Sequence, residues 1–193
     1  MSLLTSDYWT NRYEVGKTGW DLKNISPPLK SYIDQLEDKN LRILIPGAGY
    51  GYEVVYLFNK GFKHVYYLDF SPAPSEYFKK MLPDFPEDQL FCEDFFKHSG
   101  EYDLILEQTL FCAIDPLLRD DYVKKVNELL INDGKLIGLL FNRDFETGPP
   151  FGGTKEEYMK RFAPYFSICK METCYNSVDA RSGTELFIHL KKM

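Results

Sequence analysis

The residues that build metal centres are few in this sequence, and they are scattered. Its four cysteines (Cys92, Cys112, Cys169, Cys174) form no Cys-x-x-Cys pair, and its three histidines (His64, His98, His189) stand far apart, so no zinc spacing arises. No metal is expected, and the thiols read as reduced and mostly buried. No apolar run approaches the roughly 18 to 20 residues of a membrane helix, and no basic N-terminal stretch leads into an apolar one. A cytoplasmic location without a membrane partner is the expectation. Basic residues are too thinly spread to track a phosphate backbone, because 23 Lys and Arg against 29 Asp and Glu leave a net charge of −6. Nucleic acid is therefore not expected as a partner. Repeats, low-complexity tracts and linkers are also missing. A chain of 193 residues, 44% of them hydrophobic, suits a single domain over residues 1–193, expected to be a monomer.

Tryptophan is scarce as well, and both indoles fall within residues 7–21, DYWTNRYEVGKTGWD. Gly16-Lys17-Thr18 inside this stretch is not a phosphate loop: a Gly-x-x-x-x-Gly-Lys-Thr motif would need glycine where Asn11 stands, and no strand precedes it. Nucleoside triphosphate chemistry is excluded with it. Trp9 and Tyr13, four apart on a short helical stretch, share a face, and the glycines at 16 and 19 let the chain turn so that Trp20 approaches them.

From residue 41 onward the chain alternates short apolar runs with amphipathic stretches, the pattern of a parallel sheet wound with helices. Strands are expected at 41–45, 64–68, 90–92, 102–107 and 135–141, with two late ones at 166–175 and 185–191. Helices are expected at 51–59, from Ser71-Pro72 onward, at 116–131 and at 155–161. Asn132-Asp133-Gly134 reads as a turn, and the segment 148–153, with two prolines and three glycines, as a loop.

Ile45-Pro-Gly47-Ala-Gly49-Tyr-Gly51-Tyr-Glu53 lies where the first strand turns into a helix, the place where glycine lets a backbone approach a nucleotide. Asp69 ends the second strand 22 residues after Gly47, placed to accept both ribose hydroxyls of an adenosine-containing cofactor. A dinucleotide site has Gly-x-Gly-x-x-Gly, so that a helix start receives a pyrophosphate. Here the spacing is Gly-x-Gly-x-Gly, which suits S-adenosylmethionine, a cofactor without phosphate. At the next strand end Cys92-Glu93-Asp94-Phe95 sets an acid beside an aromatic, fitting the adenine amino group and ring face. Either Glu107 or Asp115 could be put forward as a general base, although a strand-end carboxylate more often fixes backbone or the cofactor's amino group. Cys112, between Phe111 and Ala113, reads as a small buried residue and not as a methyl carrier.

Three blocks together resemble the thiopurine S-methyltransferase family, including its thiol and halide methyltransferase branch. They are Trp9-x-x-x-Tyr13-x-x-Gly16-x-Thr18-x-Trp20-Asp21, Ile45 to Glu53, and Glu107-Gln-Thr-Leu-Phe-Cys-Ala-Ile-Asp-Pro116. Gly148-Pro-Pro-Phe151 and Arg181-x-Gly183-x-Glu185 extend the likeness over nearly the whole chain. The resemblance implies an α/β fold, the Rossmann-like class I methyltransferase: a seven-stranded mixed sheet with helices on both faces and the last strand antiparallel. With a sulfonium cofactor implied, the aromatic segment is expected to form an N-terminal lid over residues 1–30, ahead of a core over 41–193. The resemblance places S-adenosylmethionine contacts on Trp9, Tyr13, Trp20, Gly47, Asp69, Asp94, Phe95 and Gln108, with Gly49 and Glu107 beside them. Trp20, Gln108 and Arg181 fall on the side of a small-molecule methyl acceptor, with Gln108 and Arg181 as its positioning candidates. Tyr13 stands where many relatives have Trp, Ala48 where many have Cys, and Leu110 replaces a frequent Phe. Gln108 stands where thiopurine enzymes have Arg and halide or thiol enzymes often have Tyr.

The expected reaction is an in-line attack by a soft nucleophile (a thiol, a thiopurine-like sulfur, bisulfide or a halide) on the sulfonium methyl, leaving S-adenosylhomocysteine. Alignment and exclusion of water supply much of such a rate, and a thiol already offers some thiolate at neutral pH, so a catalytic dyad is not required. Two alternatives remain at this point: a protein that binds S-adenosylmethionine without turnover, as a sensor or partner module, and an NAD(P)-dependent oxidoreductase. The glycine spacing and the lack of a Tyr-x-x-x-Lys pair count against the second.

Overall fold

The computed structural model describes residues 4–193, so the first three residues of the expected lid segment lie outside it. Seven strands form one sheet: β1 (Arg42–Pro46), β2 (His64–Asp69), β3 (Leu90–Cys92), β4 (Tyr102–Gln108), β5 (Leu130–Phe141), β6 (Phe166–Thr173) and β7 (Glu185–Lys192). Their order across the sheet is β3-β2-β1-β4-β5-β7-β6. Every pairing is parallel except those of β7, which runs antiparallel to both β5 and β6. The helices are α1 (Ser6–Glu14), α2 (Pro27–Ile33), α3 (Tyr52–Asn59), α4 (Pro72–Met81), α5 (Arg119–Leu129) and α6 (Lys155–Phe162).

Strand alternation sorts the core into two layers. On one face Ile43 and Ile45 of β1 and Leu104 and Leu106 of β4 pack with Leu29 and Ile33 of α2, Val54 and Leu57 of α3 and Phe78 of α4. On the other, Leu44 and Ile105 pack with Tyr122, Val123 and Val126 of α5 and Tyr158 and Phe162 of α6. The wound sheet with helices on both faces and an antiparallel last strand is thus present.

Two boundaries differ from expectation. The helix expected over 116–131 begins as a 3-10 turn at Pro116–Leu118, and α5 stops at Leu129 because Leu130 already pairs with Tyr102 of β4. The expected turn at 132–134 is an irregularity within β5: register shifts between Tyr102 and Leu104, and Asp133 takes φ 63°. Helix α2 was not foreseen, although Ser26-Pro27-Pro28 has proline in the first turn, and Leu29 and Ile33, four apart, are fully buried. The thiols are corrected too: Cys112 and Cys174 are buried, whereas Cys92 and Cys169 are exposed. Among the described residues no helix is long and apolar enough to cross a membrane, and no group of three or more His, Cys, Asp or Glu could hold a metal ion.

Gly138 shows how tightly the sheet centre is built. It lies opposite Glu107, and a Cβ there would meet the Glu107 carbonyl oxygen at 2.6 Å and its Cβ at 2.5 Å. Gly138→Ala is expected to cost about 1–3 kcal/mol, seen as a melting temperature lower by roughly 2–12 °C; an unchanged melting temperature would show that β4 and β5 can separate freely.

Candidate functional site

The glycine segment between β1 and α3 is tied down by one carboxylate. Asp69, at the C-terminal end of β2, accepts from Gly49 N (Oδ2, 2.9 Å) and from Ser71 N (Oδ1, 2.9 Å). Gly49 takes φ 55°, and a Cβ there would lie 2.8 Å from the Tyr13 hydroxyl, so the backbone and the N-terminal segment meet too closely for a side chain. Burial pushes the Asp69 carboxyl up to about 6 against the lowering effect of the Ser71, Gly49 and Phe70 amides.

The N-terminal segment docks on the same turn. Ser6 donates to the Phe70 carbonyl at 2.8 Å, and the Thr10 and Ser71 hydroxyls lie 2.9 Å apart. Helix α1 buries none of its residues. Its aromatics instead form an edge-to-face group: Trp9 and Trp20 have ring centroids 5.3 Å apart, Tyr13 and Trp20 5.4 Å. Burial, and then the nearby Asp69, push the Tyr13 hydroxyl far up, so it stays neutral.

This group walls a cavity of about 580 Å³ at the C-terminal ends of β1, β2 and β4. Trp9, Tyr13 and Trp20 line it, as do Gly47, Gly49 and Asp69. Asp94, Phe95, Gln108 and Arg181 line it as well, so ten of the eleven expected site residues come together. Glu107 is the exception. Fully buried, it accepts from Phe111 N at 3.0 Å and from the Tyr122 hydroxyl, and it serves the core behind the cavity, not its surface. Asp115, the other carboxylate considered as a base, lines the cavity but accepts from Leu117 N at 3.0 Å as a turn cap. Asp94 accepts from Phe96 N at 3.0 Å, and Phe95 packs tilted on Tyr122.

Arg181 was expected as a positioning candidate for the acceptor, and the structure gives it two protein partners. It is 8% exposed, pairs with Glu185 at 3.3 Å, and donates to the Trp20 carbonyl at 2.8 Å. It therefore anchors the second indole while lending its charge to the cavity. Gln108 differs: its Oε1 is buried without a hydrogen-bond partner. An orphan acceptor in a cavity wall is a place for a ligand's donor. Cys112 also lines the cavity; burial pushes its thiol up to about 12, and its Sγ donates to the Thr109 carbonyl at 3.2 Å. A thiol so held is no nucleophile at neutral pH.

Three features escaped the sequence reading. Glu93, beside Asp94 in the cavity wall, is gripped by Nδ1 of the buried His98, whose Nε2 meets the Tyr102 hydroxyl at 2.7 Å. Thr109, next to Gln108, takes φ 68°, an unusual conformation for a β-branched residue, and it lines the cavity. Arg12 and Arg143 add cations to the same wall, Arg12 over the Trp20 ring at 5.4 Å and Arg143 over Phe145 at 4.7 Å. Only the His98 contact had a local signal, an acid five residues before a histidine, and that signal has no distinctive spacing.

The donor set fits an adenosine-type cofactor with a cationic centre: a strand-end carboxylate, a glycine backbone with no room for side chains, and three aromatic rings. Comparison with known proteins agrees with this reading. A family profile described as thiopurine S-methyltransferase matches residues 4–187. A probable thiol methyltransferase 2 of Arabidopsis thaliana is 33% identical, over 100% of this chain and 88% of its own length. Thiocyanate methyltransferase 1 of Brassica oleracea is 31% identical over 96% and 84%. The fold is similar to that of a Burkholderia thailandensis 1,6-didemethyltoxoflavin-N1-methyltransferase with bound S-adenosylhomocysteine (TM-score 0.79, 17% identity, 98% of this chain and 88% of that one).

Glu107 generates a test. Burial raises its carboxyl from 4.5 to about 7, although the Tyr122 hydroxyl and the Phe111 and Leu110 amides pull it back. Between these values the folded state holds a proton that the unfolded chain releases, so this group's contribution is full below 4.5 and is lost as pH rises through 7. Glu107→Gln should remove that loss: its melting temperature relative to wild type rises from pH 5 to pH 8, and a difference independent of pH would refute the assignment.

Proposed function

The chain belongs to the thiopurine S-methyltransferase family and is an S-adenosylmethionine-dependent methyltransferase, and from that premise we propose that its acceptor is a small soft nucleophile: a thiol, a thiopurine-like sulfur, bisulfide, thiocyanate or a halide. The observation that carries this is a cavity whose wall joins Asp69, the three aromatic rings and the orphaned Gln108 Oε1, and whose carboxylates Asp69, Glu93, Asp94 and Asp115 already accept from backbone amides or meet His98. The cofactor supplies a methyl group on a sulfonium. Asp69 would accept the ribose hydroxyls, Asp94 and Phe95 would meet the adenine, and the Gly47 and Gly49 backbone would leave room for the methionyl part. Trp9, Tyr13 and Trp20 would surround the cation with aromatic rings, each face contributing roughly 0.5–2 kcal/mol where water is excluded. The N-terminal segment acts as the lid.

On the acceptor side, Phe141, Phe145, Pro149 and Pro150 strip water from the nucleophile, Gln108 orients it, and Arg181 contributes positive charge beside the Trp20 carbonyl it holds. A thiol with pKa about 8.5 offers some thiolate at neutral pH, and thiocyanate and halide ions need no deprotonation, so alignment and desolvation suffice. The names of the Arabidopsis and Brassica relatives support thiol and thiocyanate acceptors. A cytoplasmic monomer working on a small molecule is the assembly that accompanies this reading.

The decisive assay is labelled methyl transfer to iodide, thiocyanate, bisulfide, small thiols and thiopurines, beside calorimetry with S-adenosylhomocysteine and NADH. Methylation of at least one soft acceptor is expected; cofactor binding with none methylated would favour a sensor, and tight NADH binding alone would overturn the reading. Asp69→Ala removes charge-assisted hydrogen bonds of about 1.5–3 kcal/mol each, so S-adenosylhomocysteine should bind at least about 100-fold more weakly. In the wild type the same affinity should fall as pH drops below about 6, where Asp69 takes up its proton. Trp20→Ala, at a half-buried residue, should lower kcat/KM by about tenfold or more while the melting temperature moves by only a few degrees. The reverse pattern would make the indole a core residue.

A further inference from the structure

Arg119 lies at the start of α5, is 3% exposed and does not reach the cavity. Its Nη1 donates to Glu157 at 3.0 Å, and its Nη2 donates to the Gly152 carbonyl at 2.8 Å and the Phe151 carbonyl at 3.3 Å. Its guanidinium sits 4.9 Å from the Phe111 ring centroid and 5.9 Å from that of Tyr158. Glu157 in turn accepts from Arg161 at 2.8 Å, and Arg161 pairs with Asp120, so the cation belongs to a network joining α5 and α6.

For core stability alone this is a costly arrangement. A buried guanidinium is desolvated, and the Arg119 Nε–H has no partner. An apolar side chain of similar length would pack between the same rings without an orphaned donor. What the charge achieves instead is a grip on two consecutive carbonyls just after Pro149 and Pro150, both of which line the cavity.

We propose that Arg119 is a positioning residue for the methyl acceptor, holding the diproline segment of the loop over residues 142–153 as the acceptor wall. The loop's feet are held separately, Asn142 N donating to the Thr184 carbonyl at 2.8 Å and Gly153 N to the Arg143 carbonyl at 3.1 Å, while Phe151 N, beside the diproline, donates to the Cys112 carbonyl at 2.7 Å and shares with Arg119 the hold on that segment. Arg143 and Phe145 line the cavity from the other limb of the same loop. None of these residues belongs to the glycine segment or to the Asp69 turn. Loosening the loop therefore changes how the nucleophile is aimed and leaves the cofactor's seat alone. Misplacement of about 1 Å is enough to cost on the order of 100-fold in a reaction that depends on in-line geometry.

This inference rests on the acceptor assignment above, and its test separates the two. Arg119→Met and Arg119→Lys are compared with wild type for acceptor KM, kcat, S-adenosylhomocysteine Kd and hydrogen exchange of residues 142–153 and 47–53. For Arg119→Met the expectation is an acceptor KM raised about tenfold or more with the Kd for S-adenosylhomocysteine within about twofold. Exchange should quicken in 142–153 and not in 47–53. Arg119→Lys, which keeps the charge and a single donor group, should recover part of the KM. An acceptor KM unchanged in folded variants, or a cofactor Kd that rises in step with KM, would overturn the proposal. If Arg119→Met does not fold, Arg119→Lys is judged by the same criteria. If the wild type methylates no acceptor, the functional reading fails, and exchange in 142–153 alone decides whether Arg119 clamps the loop.

Discussion

The carboxylate of Asp69 is the constraint on which the site depends. One oxygen takes the amide of Gly49 and the other that of Ser71, so a single side chain fixes the turn after β1 relative to the turn after β2. The second turn is where the N-terminal helix lands, through Ser6 on the Phe70 carbonyl and Thr10 on the Ser71 hydroxyl. Burial that raises the Asp69 carboxyl to about 6 is the cost of that position. The Ser71, Gly49 and Phe70 amides offset part of it, which keeps the group an anion at neutral pH, and on the proposed reading its remaining lone pairs serve the ribose hydroxyls.

A second tie closes the other side. Arg181, from the connection between β6 and β7, holds the Trp20 carbonyl and pairs with Glu185 at the start of the antiparallel strand. The aromatic segment is thus fastened at α1 by hydroxyl contacts and at Trp20 by a buried cation. Between the fastenings lies Gly16, whose φ of 68° turns the chain. The helix of this segment buries none of its residues, and on the proposed reading it is the part of the wall that acts as the lid.

Residues whose partners are close in sequence were the legible ones. Gly47, Gly49 and Asp69 could be read because the contact they serve spans only one strand, one helix and one strand, and strand alternation gave the sheet for the same local reason. The end of α5 was not legible: whether Leu130 ends a helix or begins a strand depends on Tyr102, far back in the chain, not on propensity. Glu107 looked like a cofactor carboxylate because it ends a strand, but its side chain turns to Tyr122 on the core side, and no spacing in the sequence records which way a strand-end acid faces. Arg181 was recognised as important, and its partner Trp20, 161 residues away, could not be. Arg119 had no signal at all, since its worth lies in two carbonyls, groups that every residue carries.

The titration pattern limits what chemistry the cavity can perform. Cys112 is held at about 12, Tyr13 is pushed well above its ordinary value, and the Arg181 guanidinium is committed to Glu185 and Trp20. Glu107, poised near 7, points away from the cavity, and Asp69 is already engaged with two amides. On the proposed reading a wall whose carboxylates, Asp94 and Asp115 included, already accept backbone hydrogen bonds suits an acceptor that needs no deprotonation. It can strip water from an acceptor that is already an anion, or a thiol near its own pKa, and hold it in line against a cationic methyl donor. On the proposed reading, the enzyme therefore selects for nucleophiles that arrive ready to react, and the placement of Gln108, Thr109 and the diproline loop decides which of those it accepts.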